Sequence, residues 1–175
     1  MPVPAAPPRL PAARAPGRYR IALVCLGNIC RSPMAHVVLE SRLADAGLDD
    51  RVELASSGTG GWHVGKPMDS RAAATLTAAG YDPSRHRARQ YDATWPGSYD
   101  LVLVMDEANL ADVGGRTPRV AMFRDFDPVD PGADVPDPYY GGADGFEEVL
   151  TMVERTSDAI VAALPRALEA PEGPA

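Results

Sequence analysis

The most reactive residue types in this chain crowd one short stretch, Val24-Cys25-Leu26-Gly27-Asn28-Ile29-Cys30-Arg31-Ser32-Pro33. Cys25 is the candidate nucleophile. A free thiol has a pKa of ~8.5, so only about 3% is thiolate at pH 7. Attack by sulfur therefore needs surroundings that favour the anion. Pro33 suits the first position of a helix and Ser32 its N-cap, which sets Cys25 just before a positive helix end. The intervening loop, Leu26, Gly27, Asn28, Ile29 and Cys30, can then turn its backbone N–H groups inward as an anion cradle. Gly27 permits a backbone conformation or a close approach that a side chain would block. Arg31 adds a planar, two-pronged donor matched to phosphate oxygens. A thiolate at the floor of a phosphate cradle can attack phosphorus directly. A solitary Cys at a strand end is more often a packed core residue. The coincidence of Cys, Gly, Asn, Arg, Ser and Pro at useful places argues for chemistry instead.

These groups need a frame. Tyr19–Cys25 (YRIALVC) is a short, partly β-branched apolar run and predicts a buried strand. Ser32–Ala46 follows with Met34, Val37, Val38, Leu39 and Leu43 at helical spacing, and Gly47 suits its end. Arg51–Ser56 alternates as a second strand. Asp69–Ala79 is Ala-rich and helical, with Asp69 as N-cap and Gly80 as stop. Tyr99–Met105 predicts a third strand, Glu107–Val113 a short helix and Arg119–Phe123 a fourth strand. Asp125–Gly142 is Pro- and Gly-rich, hence loop, and Asp144–Leu164 predicts a closing helix. Strands separated by helices imply an α/β domain with a parallel sheet between helical layers, its ligands at the carboxyl ends of the strands. The domain is expected to span residues 19–164. Residues 1–18, rich in Pro, Ala and Arg, are expected to form a disordered tail, with 165–175 a second flexible one.

Composition narrows the function classes. A chain of 175 residues fits one domain. A net charge of −7 argues against a sequence-independent nucleic-acid binder. No apolar run approaches the ~18 residues of a membrane span, and the N-terminal stretch lacks the apolar region of a secretory signal. Two Cys and three His are too few for a Cys/His-built zinc site with residues to spare. Neither a metal nor another cofactor is expected. So few Cys also do not make a disulfide scaffold, so a reducing, cytoplasmic compartment is expected.

The loop C-L-G-N-I-C-R-S-P closely resembles the signature of the low-molecular-weight protein tyrosine phosphatases, C-x-G-N-x-C-R-S-P. The resemblance runs from Ile21 to about Leu164, through Ser56, Trp62-His63-Val64-Gly65, His86-Arg87-Ala88-Arg89-Gln90 and Asp137-Pro138-Tyr139-Tyr140. It implies a three-layer domain with four parallel strands in the order 2-1-3-4 and a phosphate-binding loop after the first. It also implies metal-independent hydrolysis of phosphotyrosine, or other aryl phosphates, through a phosphocysteine on Cys25. Arg31 would clamp the phosphoryl oxygens. Ser32 would hydrogen-bond the thiolate. Asn28 would shape the loop with Ser56 and His86. Asp137, between Pro136 and Pro138, matches the general acid that protonates a tyrosyl leaving group of pKa ~10. Trp62, Tyr139 and Tyr140 look like the aromatic walls of a cleft. Cys30 could capture oxidised Cys25 as a reversible disulfide, or be a packed second Cys without a redox role. Phosphotyrosine proteins or aryl phosphates are the implied substrates, with phosphate and vanadate as site ligands.

Three other readings fail on particular residues. Gly60-Gly61-Trp62-His63-Val64-Gly65-Lys66 approaches a nucleotide P-loop, but Pro67 replaces the hydroxyl residue that would bind Mg²⁺. A thiol-dependent arsenate reductase of similar fold passes oxidation to downstream cysteines, and none follows Cys30. A phosphotyrosine-binding pseudo-phosphatase would lack the nucleophile or the acid, and Cys25 and Asp137 are both present. Larger tyrosine phosphatases carry His before the catalytic Cys, where this chain has Val24.

Overall fold

The computed structural model describes residues 9–169. Four apolar runs form its sheet: β1 (Tyr19–Cys25), β2 (Val52–Gly58), β3 (Leu101–Val104) and β4 (Val120–Met122). All are parallel, in the order β2-β1-β3-β4, as the resemblance implies. Side-chain alternation divides the core into two layers. Ile21, Leu23 and Cys25 of β1 and Leu101 and Leu103 of β3 face α1 (Arg31–Asp45), α2 (Ser70–Ala78) and α5 (Ala143–Glu169). Ala22 and Val24 of β1, with Val102 and Val104 of β3, face the other way. They meet Trp95 on α3 (Trp95–Ser98), Tyr99 and the rim of α4 (Glu107–Asp112). Strands covered on both sides read as continuous apolar runs. Among the described residues no helix is long and apolar enough to cross a membrane.

Several boundaries differ from those expected, each for a visible reason. The first helix begins at Arg31, with Cys30 rather than Ser32 in the N-cap position and no side chain capping it. The Ser32 hydroxyl is engaged elsewhere. Asp69 caps α2 as expected, accepting from the amides of Arg71 and Ala72. A one-turn helix, α3, was not foreseen, and the fourth strand is shorter because Phe123–Phe126 coils into a 3-10 turn. The largest difference lies at the ends of the chain. The closing helix runs on to Glu169 with Pro165 on its exposed side, because Leu164, Ala167 and Leu168 continue the buried stripe of Ile160.

Residues 9–18 pack as well, where a disordered tail was expected. Leu10 and Ala13 are buried, and the amides of Ala13 and Gly17 donate to the carbonyls of Ala167 and Leu168. These are carbonyls at the C-terminal end of α5, which its own helix cannot pair. The Asp100 carboxylate then accepts from the amides of both Arg14 and Arg20. The rest of the expected tails, residues 1–8 and 170–175, lies outside the described residues.

Candidate active site

β1 ends at Cys25 and α1 starts at Arg31, so the reactive loop is a tight ring at the carboxyl edge of the central strand pair. Gly58, level with Cys25 on β2, makes room for it. A Cβ there would stand 2.7 Å from the Leu26 carbonyl oxygen and 3.0 Å from the Asn28 nitrogen. The amides of Thr59 and Gly60 then hydrogen-bond the carbonyls of Cys25 and Leu26. Gly27 meets the close approach expected of it, because a Cβ at that position would press on the His63 ring at 3.2 Å.

The Cys25 sulfur has two polar neighbours. The Asn28 amide donates to it at 3.3 Å, and Ser32 Oγ lies 3.0 Å away. Asn28 Nδ2 donates to Ser32 Oγ at 2.8 Å, which leaves the Ser32 proton free to point at the sulfur. Asn28 is the hub of the ring. It is fully buried, and it is the one non-glycine residue with positive φ (56°) among the described residues. Asn tolerates that conformation better than most residues. Nδ2 also donates to Ser56 Oγ at 3.1 Å, and Oδ1 accepts the Arg89 amide at 3.0 Å. The Asn28 carbonyl meets His86 Nε2 at 2.7 Å. A carbonyl only accepts, so Nε2 carries the hydrogen and donates. Burial pushes the His86 pKa down, against the opposing effect of that hydrogen bond, with His36 and Arg87 adding to the fall. The expected group of Asn28, Ser56 and His86 is thus brought together.

Arg31 is buried beneath the loop. Its guanidinium donates to Asp106 Oδ2 at 2.6 Å and to the Val135 carbonyl at 3.0 Å, and it lies 3.5 Å from Asp137 Oδ2. Burial works to lower its pKa, but Cys25, Asp106 and Asp137 together hold it above the ordinary value. Asp106 was missed from the sequence. It caps α4 with one oxygen, accepting from the Asn109 amide, and orients Arg31 with the other. The available signal was an Asp at the carboxyl end of the third strand, where ligand groups collect. Asp137 sits across the cleft, and its Oδ1 accepts the Tyr139 amide at 3.1 Å. Cys30 differs from Cys25 in its surroundings. Burial, then Asp69, Cys25 and Asp137, drive its thiol pKa far upward, and Arg71 offsets only part of this. Cys30 is therefore a neutral thiol at pH 7.

Cys25, Cys30, Arg31 and Asp137 line one cleft of about 340 Å³, with Trp62, His63, Tyr139 and Tyr140 around it. Trp62 is 69% exposed and Tyr140 92%, so neither is a core aromatic; Tyr139, at 37%, stacks edge-on against Tyr140. A larger hollow of about 480 Å³ lies between α1 and Tyr81–Arg85, but it does not reach the loop and holds no thiol. Chemistry rather than size picks out the smaller cleft.

A parallel three-layer domain with a Cys–Arg phosphate loop at its central strand end defines a small cysteine-loop phosphatase. The chain belongs to the low molecular weight phosphotyrosine protein phosphatase family, whose model matches residues 20–170. It is 46% identical over 159 residues to the low molecular weight protein-tyrosine-phosphatase of Streptomyces coelicolor, covering 86% of this chain and 96% of that one. It is 45% identical over 139 residues to protein-tyrosine phosphatase A of Mycobacterium tuberculosis, covering 77% and 84%. Among solved structures, the tyrosine phosphatase of Entamoeba histolytica superposes with a TM-score of 0.80 at 28% identity, over 85% of this chain and 97% of that one. Two further similar structures carry ligand information in their own names. Wzb of Vibrio vulnificus is a complex with benzylphosphonate, at TM-score 0.71 and 25% identity, covering 83% and 99%. The arginine phosphatase YwlE, as a cysteine-to-serine mutant with that active-site serine phosphorylated, superposes at TM-score 0.74 and 26% identity, covering 84% and 96%.

Proposed function

We propose that this hydrolase cleaves phosphotyrosine and other aryl phosphates through a phosphocysteine on Cys25, without a metal. One observation carries the reading: the sulfur lies in an aromatic-rimmed cleft, held by the Asn28 amide and Ser32, with Arg31 beside it and the Asp137 carboxyl opposite. The Cys25 thiolate attacks phosphorus as the bond from phosphorus to the aryl oxygen breaks. Asp137 gives its proton to the departing phenolate. Water then attacks the phosphocysteine, Asp137 takes a proton from it, and the S–P bond breaks to release phosphate and the thiolate. Arg31 and the loop amides hold the phosphoryl oxygens throughout, which is most of what phosphoryl transfer asks of a protein. Ser32 steadies the sulfur as leaving group. Asn28, Ser56 and His86 keep the amides aimed inward. Trp62, Tyr139 and Tyr140 set a depth that a ring bridges and a short phosphoserine does not.

Cys30 rests as a neutral thiol and must give up its proton to react, which burial makes slow. When peroxide converts Cys25 to a sulfenic acid, the Cys30 sulfur displaces its hydroxyl, forming a disulfide and water. Two free thiols in a working site suit a reducing, cytoplasmic compartment.

The test is turnover of p-nitrophenyl phosphate and of phosphotyrosine, phosphoserine and phosphoarginine peptides. The phosphoarginine arm is included because a similar structure is named an arginine phosphatase. Ring substrates should be preferred, vanadate should inhibit competitively, and chelators should have no effect. Cys25→Ser should abolish hydrolysis. Asp137→Ala should slow tyrosyl phosphates far more than esters of acidic phenols, which leave without a proton. An equal loss on both would remove the acid role, and preference for phosphoarginine would replace the substrate class. Cys30→Ser should leave turnover largely intact but make peroxide inactivation hard to reverse.

A further inference from the structure

The aromatic wall has an unexpected support. The Trp62 indole folds back onto the backbone of Gly60, two residues earlier, and occupies the place where a side chain at 60 would begin. A Cβ built there would stand 2.0 Å from Cζ3, 2.5 Å from Cε3 and 2.6 Å from Cη2 of the ring, well inside contact distance. The backbone of Gly60 is not in the left-handed region that favours glycine, so alanine fits its conformation. The three nearest atoms all belong to the indole. The Gly60 amide is pinned to the Leu26 carbonyl at 2.8 Å, and the Thr59 amide to Cys25 at 2.9 Å. The ring therefore rests on a platform that is itself fastened to the phosphate loop.

We propose that Gly60 is a specificity-determining residue: its missing side chain seats the Trp62 indole beside the cleft, and this seat matches the enzyme to planar aryl phosphates. Any larger residue at 60 swings the ring away, because an exposed side chain yields more readily than pinned backbone. The phosphate loop, which Gly60 holds through its amide, keeps its shape. This deepens the aryl-phosphatase reading and rests on it. Gly60 acts through Trp62 and touches neither phosphorus nor the leaving group.

The experiment compares wild type, Gly60→Ala, Trp62→Ala and the double variant on three probes. Phosphotyrosine carries a ring, acetyl phosphate carries none, and inorganic phosphate as competitive inhibitor reports on the loop alone. Gly60→Ala should lower kcat/KM for phosphotyrosine by about 3- to 10-fold, mainly through KM, the scale of one aromatic contact. It should leave acetyl phosphate turnover and the phosphate inhibition constant unchanged. In the Trp62→Ala background, adding Gly60→Ala should change nothing further. Acrylamide quenching gives a readout free of turnover, because Trp95 is buried and Trp62 is exposed. The quenchable fluorescence should shift in Gly60→Ala. Equal losses on ring-bearing and ringless substrates, a further loss in the double variant, or an unmoved indole would each overturn the proposal. A wild type that ignores phosphotyrosine while the indole still moves would instead defeat the aryl-phosphatase reading.

Discussion

Arg31 is the residue whose behaviour depends most on partners far along the chain. Its loop sets it beside Cys25, but Asp106 and the Val135 carbonyl decide where its donors point. Charge-assisted hydrogen bonds contribute about 1.5–3 kcal/mol. Asp106→Asn, which keeps the shape and removes the charge, should therefore lower kcat/KM for aryl phosphates about 10- to 100-fold while Cys25 remains reactive toward iodoacetate. Loss of the fold itself would appear as a collapsed Tm, and an unchanged kcat/KM would show that Val135 suffices to aim the guanidinium. Cys25, Arg31 and the loop were legible because loop chemistry is local and repeats a short pattern. Asp137 was legible only through the D-P-Y-Y pattern, since acidic residues crowd its segment. Asp106 was not, because an Asp before a helix reads as an ordinary cap, and its free oxygen meets Arg31 only once β1 and β3 lie side by side. Ser32 shows the converse. Its position suggested a cap, yet its hydroxyl serves Cys25.

At the scale of elements, the strands were legible from apolar runs, but the ends of the chain were not. Composition describes residues 9–18 as Pro- and Ala-rich, and nothing local shows that Leu10 and Ala13 will be covered. Both join the core that also holds Leu164, Ala167 and Leu168, and the Ala13 amide donates to the Ala167 carbonyl near the end of α5. Pro165 misled for a related reason. A proline inside a helix costs about 3 kcal/mol, which reads as a stop, but burial of Leu164, Ala167 and Leu168 holds the helix through it. The two ends therefore stabilise each other. Removing residues 2–17 should strip the hydrogen bonds of Ala13, Arg14 and Gly17, the Tyr19 bond to the Pro11 carbonyl and the burial of Leu10 and Ala13, at a net cost of about 2–3 kcal/mol once the ordering entropy of the segment is regained. In a domain of this size that is about 4–12 °C in Tm, with kcat for p-nitrophenyl phosphate unchanged because the site lies at the opposite edge of the sheet. A Tm equal to that of the full chain would mean the contact contributes nothing.

The whole molecule is acidic, with a net charge of −7, yet its most buried carboxylate is fully matched. Asp127 accepts from Arg155 at 2.8 Å through both oxygens and from Arg124 at 2.9 Å, tying the 3-10 turn to α5. Burial alone would raise its pKa, but Arg155, the Val129 amide and Arg124 hold it far below the ordinary carboxylate range. Such a group contributes stability above its unfolded pKa of ~3.9. That stability is lost as pH falls, because the unfolded chain binds the proton first. His86 acts earlier and with the same sign: the unfolded imidazole takes a proton near pH 6.5, while burial delays this in the fold. Stability should therefore decline in two stages on acidification. Asp127→Asn should cost about 3–5 kcal/mol at pH 7 in urea unfolding, and the gap from wild type should begin to narrow below about pH 4 and go on narrowing at lower pH. A gap independent of pH would mean that the carboxylate charge plays no part. The Arg31 guanidinium holds the centre of the site. It is gripped by the end of one strand and by a long loop that closes late in the sequence. A partly melted chain that keeps its helices but loosens this loop should therefore be inert, so recovered catalysis rather than recovered helicity should mark complete folding.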